Sequence, residues 1–108
     1  MNLDDLEFSV TEWAHTRNLI DGTTPEKQFI KLIEEIGEIS ECIGKDRPME
    51  LKSEIGDALV CLNNLCVQNG FTLNEAFMAA WLKIKDRKGM MVNGYYIKEE
   101  DLPAPEVM

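Results

Sequence analysis

Two consecutive amphipathic segments, joined only by Asp46-Arg47-Pro48, constrain this chain more than any other feature. The first opens with Thr24 as N-cap, Pro25 at the first helical position and Glu26 in the first turn, and runs to about Ile43-Gly44. The second begins near Pro48 or Met49 and ends at Gln68-Asn69-Gly70, a helix stop signal. At about 100° per residue, Phe29, Leu32, Ile33, Ile36, Ile39 and Ile43 gather on one arc. Leu51, Ile55, Ala58, Cys61, Leu62 and Leu65 gather on the other. A connector this short makes the two helices antiparallel neighbours, and each apolar stripe needs a partner. The pair therefore predicts an all-α, four-helix, bundle-like core.

The flanking segments complete that reading. A first helix is expected from about Ser9 to Ile20, stopped by Asp21-Gly22-Thr23-Thr24-Pro25. A fourth opens at Thr72, with Glu75 supplying a capping box, and runs to about Lys88-Gly89. Val92-Asn93-Gly94-Tyr95-Tyr96-Ile97-Lys98 has turn and strand character, fitting a small hairpin or an arm. The last residues, Leu102 to Met108, read as extended. One domain over residues 1–108 is expected, with a helical core at about 9–89 and a C-terminal arm at about 90–108.

Composition narrows the partners. A net charge of −9 opposes approach to any polyanionic surface, which argues against nucleic-acid polymers and anionic membranes. Ala76 to Leu82 is the longest apolar run, far short of a membrane span. The start, Met1-Asn2-Leu3-Asp4-Asp5-Leu6-Glu7, is acidic and lacks the regions of a signal peptide. Cys42, Cys61 and Cys66 are odd in number, without CxxC spacing, and sit in helical patterns where a free thiol acts as a small core residue. A reduced, cytoplasmic setting is the expectation.

Within the two central helices lie Glu34-Glu35-Ile36-Gly37-Glu38 and Glu54-Ile55-Gly56-Asp57. Carboxylates three residues apart on a helix lie nearly above one another. Glu35 falls just outside the apolar arc of its helix, and Glu38 further round beside Lys31, whereas Glu34 and Glu41 occupy the opposite flank. On the next helix Glu54 falls inside the apolar stripe, with Asp57 and Asn64 along the same edge. A lone buried carboxylate costs several kcal/mol or takes up a proton, so Glu54 needs a cation or a metal. Acidic residues at helical spacing are most often a solvated face, and that reading is kept for Glu41 and Glu50. For Glu35, Glu38, Glu54 and Asp57 the paired helices instead suggest a cage for a hard divalent cation, of the kind that holds Mg²⁺ against nucleotide phosphates. A bound metal reverses the local sign, which reconciles a nucleotide substrate with an acidic chain.

Glu34-Glu35-x-x-Glu38 followed by Glu54-x-x-Asp57 resembles the hallmark of the MazG-like all-α nucleotide pyrophosphohydrolases, over roughly residues 9 to 98. The stretch from Lys85 through Gly94 to Glu100 resembles the ending of small bacterial and phage members. The resemblance implies that Glu35, Glu38, Glu54 and Asp57 hold Mg²⁺, with Mn²⁺ as a substitute. It implies that Glu34 positions or deprotonates the attacking water. It further implies cleavage of a nucleoside triphosphate between the α and β phosphates, by a homodimer or homotetramer.

Further candidates for substrate binding are Lys31, Lys83, Lys85 and Arg87 for phosphate charge, and Asn64 for the sugar or a polar network. Trp13 is a candidate for stacking on the base and Gln28 for reading its edge, whereas Trp81 is expected in the core and His15 at the surface. No Ser/His/Asp arrangement, P-loop or Gly-rich dinucleotide fingerprint is present in the sequence. Two rival readings stand beside the hydrolase: a non-enzymatic helical interaction module with a vestigial metal site, and a phosphoribosyl-ATP pyrophosphohydrolase.

Overall fold

The computed structural model describes residues 1–103; Ala104 to Met108, part of the segment expected to be extended, lie outside the described residues. The chain is mostly helical: α1 (Leu3–Thr16), α2 (Pro25–Gly44), α3 (Pro48–Gln68) and α4 (Leu73–Ile84) precede a hairpin of β1 (Gly89–Val92) and β2 (Tyr95–Lys98) and a 3₁₀ turn at Glu99–Asp101. The four helices and the small C-terminal sheet agree with the all-α class expected from the sequence.

Helices α2 and α3 start where the sequence places them. The Thr24 hydroxyl accepts the Lys27 amide at 3.2 Å ahead of Pro25, and Pro48 occupies the first turn of α3. Helix α1 differs at both ends. It starts six residues early because Asn2 and Asp5 form a reciprocal cap: Asp5 N donates to Asn2 Oδ1 at 2.9 Å and Asn2 N to Asp5 Oδ2 at 3.4 Å. It stops at Thr16 because Asn18 turns left-handed, at φ 57°, and the Leu19 amide closes back onto Ala14 O at 2.9 Å. Helix α4 ends at Ile84 rather than near Lys88. A turn follows, in which the Arg87 amide donates to Ile84 O at 3.0 Å, and Lys88 O accepts the Glu99 amide at 2.8 Å beside the hairpin.

The chain divides into two compact units, and the first comprises residues 1–76. Here α3 is the central helix, with α2 and α1 packed against it. Leu32, Ala58 and Cys61 form the buried core, with Ile39 and Leu62 against them. Ala14 of α1 is wholly buried. Two amides tie the α1 segment to α3: Asn63 Nδ2 donates to Thr11 Oγ1 at 3.0 Å, and Gln68 Nε2 to Ile20 O at 3.2 Å. The Glu7 carboxylate accepts the Asn74 amide at 3.0 Å, holding the first turn of α4.

The apolar arcs are wider than the cover they receive. Phe29, Ile33, Ile36, Ile43 and Ile55, all expected in the core, are exposed, because a single neighbouring helix covers only part of a broad arc.

The second unit, from Phe77 onward, contains the rest of α4 and the hairpin. β1 and β2 pair antiparallel from Val92 opposite Tyr95 to Gly89 opposite Lys98. Asn93 and Gly94 both take positive φ, at 51° and 85°, as a two-residue primed turn requires. Trp81, expected in the core, is 53% exposed, so a helical position beside apolar neighbours did not suffice to bury it.

Asn2→Ala should lower stability by about 1 kcal/mol, since the Asp5 amide loses its acceptor on the Asn2 side chain. Urea unfolding followed by circular dichroism measures this; an unchanged midpoint would show that α1 does not depend on its cap.

Candidate metal and nucleotide site

Two turns of α2 and one of α3 bring Glu35, Glu38 and Glu54 together, each offering an oxygen within 4.8 Å of the others. Glu35 is buried at 7% exposure, Glu54 is half-buried, and Glu38 faces solvent. The antiparallel pairing explains the convergence: the core contact of Leu32 with Ala58 and Cys61 sets the register, and Glu35 and Glu38 follow one and two turns along α2.

The electrostatics are unbalanced. Lys31 Nζ lies 3.3 Å from Glu35 Oε1 and 3.5 Å from Glu34 Oε2, and both carboxylates, Glu35 foremost, hold the ammonium above its ordinary range. Glu35 Oε2 and Glu54 Oε2 are buried with no hydrogen-bond partner among the described residues. The Glu54 carboxyl is pushed up to about 7 by its hydrogen bond to Glu38, then by burial, then by the charges of Glu38, Asp57 and Glu35. A shared proton relieves part of this repulsion. A divalent cation would relieve more of it and would meet both orphaned oxygens, and an all-carboxylate donor set is the one hard cations such as Mg²⁺ prefer. The residues present therefore fit such an ion.

Beside the carboxylates opens a cavity of about 640 Å³, lined by Ser9, Val10 and Trp13 of α1, Lys31 and Glu35 of α2, and Asp57, Val60 and Cys61 of α3. Its volume lies in the range of small-molecule sites, and its wall grades from apolar to acidic. Asp57 is exposed and stands outside the close trio, yet it shares this cavity with Glu35 and acts on Glu54 through its charge. Glu34 is exposed and paired with Lys31. Gln28 is buried and is not part of the cavity wall. Asn64 is also buried, with its Oδ1 unpartnered among the described residues, and is not part of the cavity wall.

Lys83, Lys85 and Arg87 belong to the second unit. There Lys83 and Arg87 line a cleft of about 450 Å³ with Asp86, Lys88, Lys98, Glu99 and Glu100, and Lys85 is exposed outside it. His15 is exposed, as expected. The three cysteines are free and buried, and burial pushes each thiol up, Glu35 adding to the effect at Cys61. Protonated buried thiols are poor nucleophiles.

Ser9, Val10, Val60 and Cys61 were not singled out from the sequence. A signal existed, because Ser9, Val10 and Trp13 share one face of α1 at helical spacing, and Val60 and Cys61 follow Asp57 by one turn.

Fold and site together define an all-α protein with a carboxylate cluster between two antiparallel helices and a nucleotide-sized cavity alongside. Residues 23–92 match the family model of the MazG nucleotide pyrophosphohydrolase domain, a stretch containing both acidic motifs, and the chain belongs to that family. It is also similar to an uncharacterized 18.2 kDa protein in the rep-hol intergenic region of Haemophilus phage HP1 (strain HP1c1), with 43% identity over 68 residues. That alignment covers 63% of this chain and 42% of the phage protein, so the chain spans less than half of its relative's length. No solved structure matches the chain significantly. Among the described residues no helix is long and apolar enough to cross a membrane.

The raised Glu54 carboxyl makes a pH prediction. Its ordinary value is 4.5 and its value in the fold is about 7, so between these limits the folded chain keeps a proton that the unfolded chain releases. Stability of the metal-free protein should therefore fall as pH rises from about 4.5 to about 7, and Glu54→Gln should flatten that slope. Thermal melts in chelator across this range test it; parallel wild-type and variant curves would contradict the assignment.

Proposed function

We propose that this chain is a Mg²⁺-dependent nucleotide pyrophosphohydrolase that cleaves (deoxy)nucleoside triphosphates between the α and β phosphates, giving a monophosphate and pyrophosphate. One observation carries the reading: within a MazG domain, two helices converge carboxylates whose buried oxygens on Glu35 and Glu54 have no partner among the described residues. A charged cluster of this kind opposes folding unless a cation is part of its working state.

In this reading Glu35, Glu38, Glu54 and Asp57 hold Mg²⁺, for which Mn²⁺ substitutes. When bound, the ion neutralises phosphate charge and lowers the pKa of a water. Lys31 fixes the orientation of Glu35 through its 3.3 Å ion pair. Glu34, on the solvent side of the same lysine, is the group assigned to orient the attacking water and accept its proton. Trp13, Val10 and Val60 give the cavity the apolar wall that a nucleobase needs, next to the acids that would face its phosphates. The free, protonated thiols accord with a reduced cytoplasmic setting. The charge of −9 favours a single nucleotide over a nucleic-acid polymer or a membrane surface.

A nucleotide panel assayed with Mg²⁺ by phosphorus NMR should show pyrophosphate and a monophosphate, and release of orthophosphate alone would remove the assignment. Glu54→Gln should lower turnover by more than about a hundredfold, since even groups that merely support metal ligands cost roughly ten- to a hundredfold. The matched control is Glu41→Gln, whose carboxylate is exposed and paired with Lys45. It should stay within about twofold, because such exposed pairs contribute little. Retained activity in both variants, or activity in neither the wild type nor the control, would favour a non-enzymatic helical module.

A homodimer or homotetramer is proposed on the exposed Phe29, Ile33, Ile36, Ile43 and Ile55 of α2 and α3, since large uncovered apolar area marks association surfaces. Light scattering at micromolar concentration should give at least twice the 12.3 kDa monomer mass. A strict monomer would refute it.

A further inference from the structure

Helix α1 presents one aromatic side chain to the cavity beside the carboxylates, and that side chain is held by a group outside the cavity. The Arg17 guanidinium sits 4.7 Å from the centroid of the Trp13 ring. Its Nη1 also donates to Trp13 O at 3.4 Å. Trp13 lines the cavity and Arg17 does not. The guanidinium therefore holds the ring without itself forming part of the cavity wall.

We infer that Arg17 is a positioning residue for the nucleobase, fixing the Trp13 indole in the orientation that forms the stacking wall of the cavity. The inference rests on the proposal that this cavity receives the base of a nucleotide. Its physical content is the freedom of one side chain. The backbone at Trp13 is already pinned, because the adjacent Ala14 is wholly buried. Trp13 as a residue is 44% exposed, so packing alone does not select its rotamer. A cation over the indole face supplies the missing restraint, and the bond to Trp13 O holds the guanidinium in register with it. The left-handed turn at Asn18 ends the helix immediately afterwards and sets where Arg17 stands. A preoriented aromatic wall lowers the ordering cost of binding, which appears in affinity and not in the chemical step.

The test uses the full chain carrying Trp81→Phe, so that Trp13 is the remaining tryptophan, and follows its fluorescence with the α,β-methylene analogues of dATP, dCTP, dGTP and dUTP in Mg²⁺. Trp13 emission should respond to at least one analogue. Arg17→Met in this background should then raise Kd about two- to fivefold, the range set by an exposed cation–π contact. KM for the corresponding nucleotide should rise alike, with kcat within about twofold. Arg17→Lys, which restores the cation without the planar fork, should fall between the two. An unchanged Kd in Arg17→Met while Trp13 still responds would overturn the positioning role and leave the base cavity standing. A fall in kcat with Kd unchanged would overturn it as well. No Trp13 response to any analogue, together with an unchanged KM in Trp13→Ala, would overturn the base cavity and the inference with it.

Discussion

The register between α2 and α3 is the constraint on which the rest depends. Leu32 meeting Ala58 and Cys61 buries the small apolar core of the first unit, and the same register places Glu35 and Glu38 against Glu54. Burial is favourable and the convergence of charge is not. The cost is visible in two oxygens without partners among the described residues and in a Glu54 carboxyl pushed up to about 7. Sliding α2 by one turn along α3 would separate the carboxylates but would also uncover the core, so hydrophobic contact keeps the acids together. Such stored repulsion is characteristic of functional sites, where the fold tolerates a local penalty that a ligand removes.

Helix α1 converts that charged seam into a place with a shape. It packs on α3 through the buried Ala14 and the Thr11–Asn63 bond, and brings Ser9, Val10 and Trp13 over the gap beside Glu35 and Asp57. The result is a cavity with an apolar side and an acidic side, the division a nucleotide presents in its base and its metal-bound phosphates. Arg17, at the end of the same helix, sits over the Trp13 ring, so one short segment contributes a wall and the cation inferred to steady it.

Much of this was legible beforehand. The starts of α2 and α3 followed from Thr24-Pro25 and Pro48, because proline at the first helical turn acts through local geometry that needs no tertiary context. Asn93-Gly94 left a hairpin and an arm both open, and the positive φ of the two residues in the fold decides for the hairpin. Glu54 stood out because a carboxylate inside an apolar stripe contradicts its own helix. The ends of α1 and α4 were misplaced where a specific partner decided them: the Asn2–Asp5 cap, the turn at Asn18, and the capture of Lys88 by the hairpin.

Periodicity and punctuation thus determined the helical class, the antiparallel central pair and the carboxylates on its edges, since these depend on residues three or four apart along the chain. The acidic motifs, by the same local spacing, carried the family. Only the tertiary structure decided which apolar residues are covered, leaving Ile33 and Ile55 exposed while Ala58 and Cys61 are buried. It also decided that Glu35, Glu38 and Glu54 form the close trio with Asp57 to one side, and that Gln28 and Asn64 turn inward away from the cavity. The reason is that burial and convergence depend on how far apart two helices sit and how they are rotated, which is set by packing of side chains distant in sequence and leaves no periodic trace in either segment.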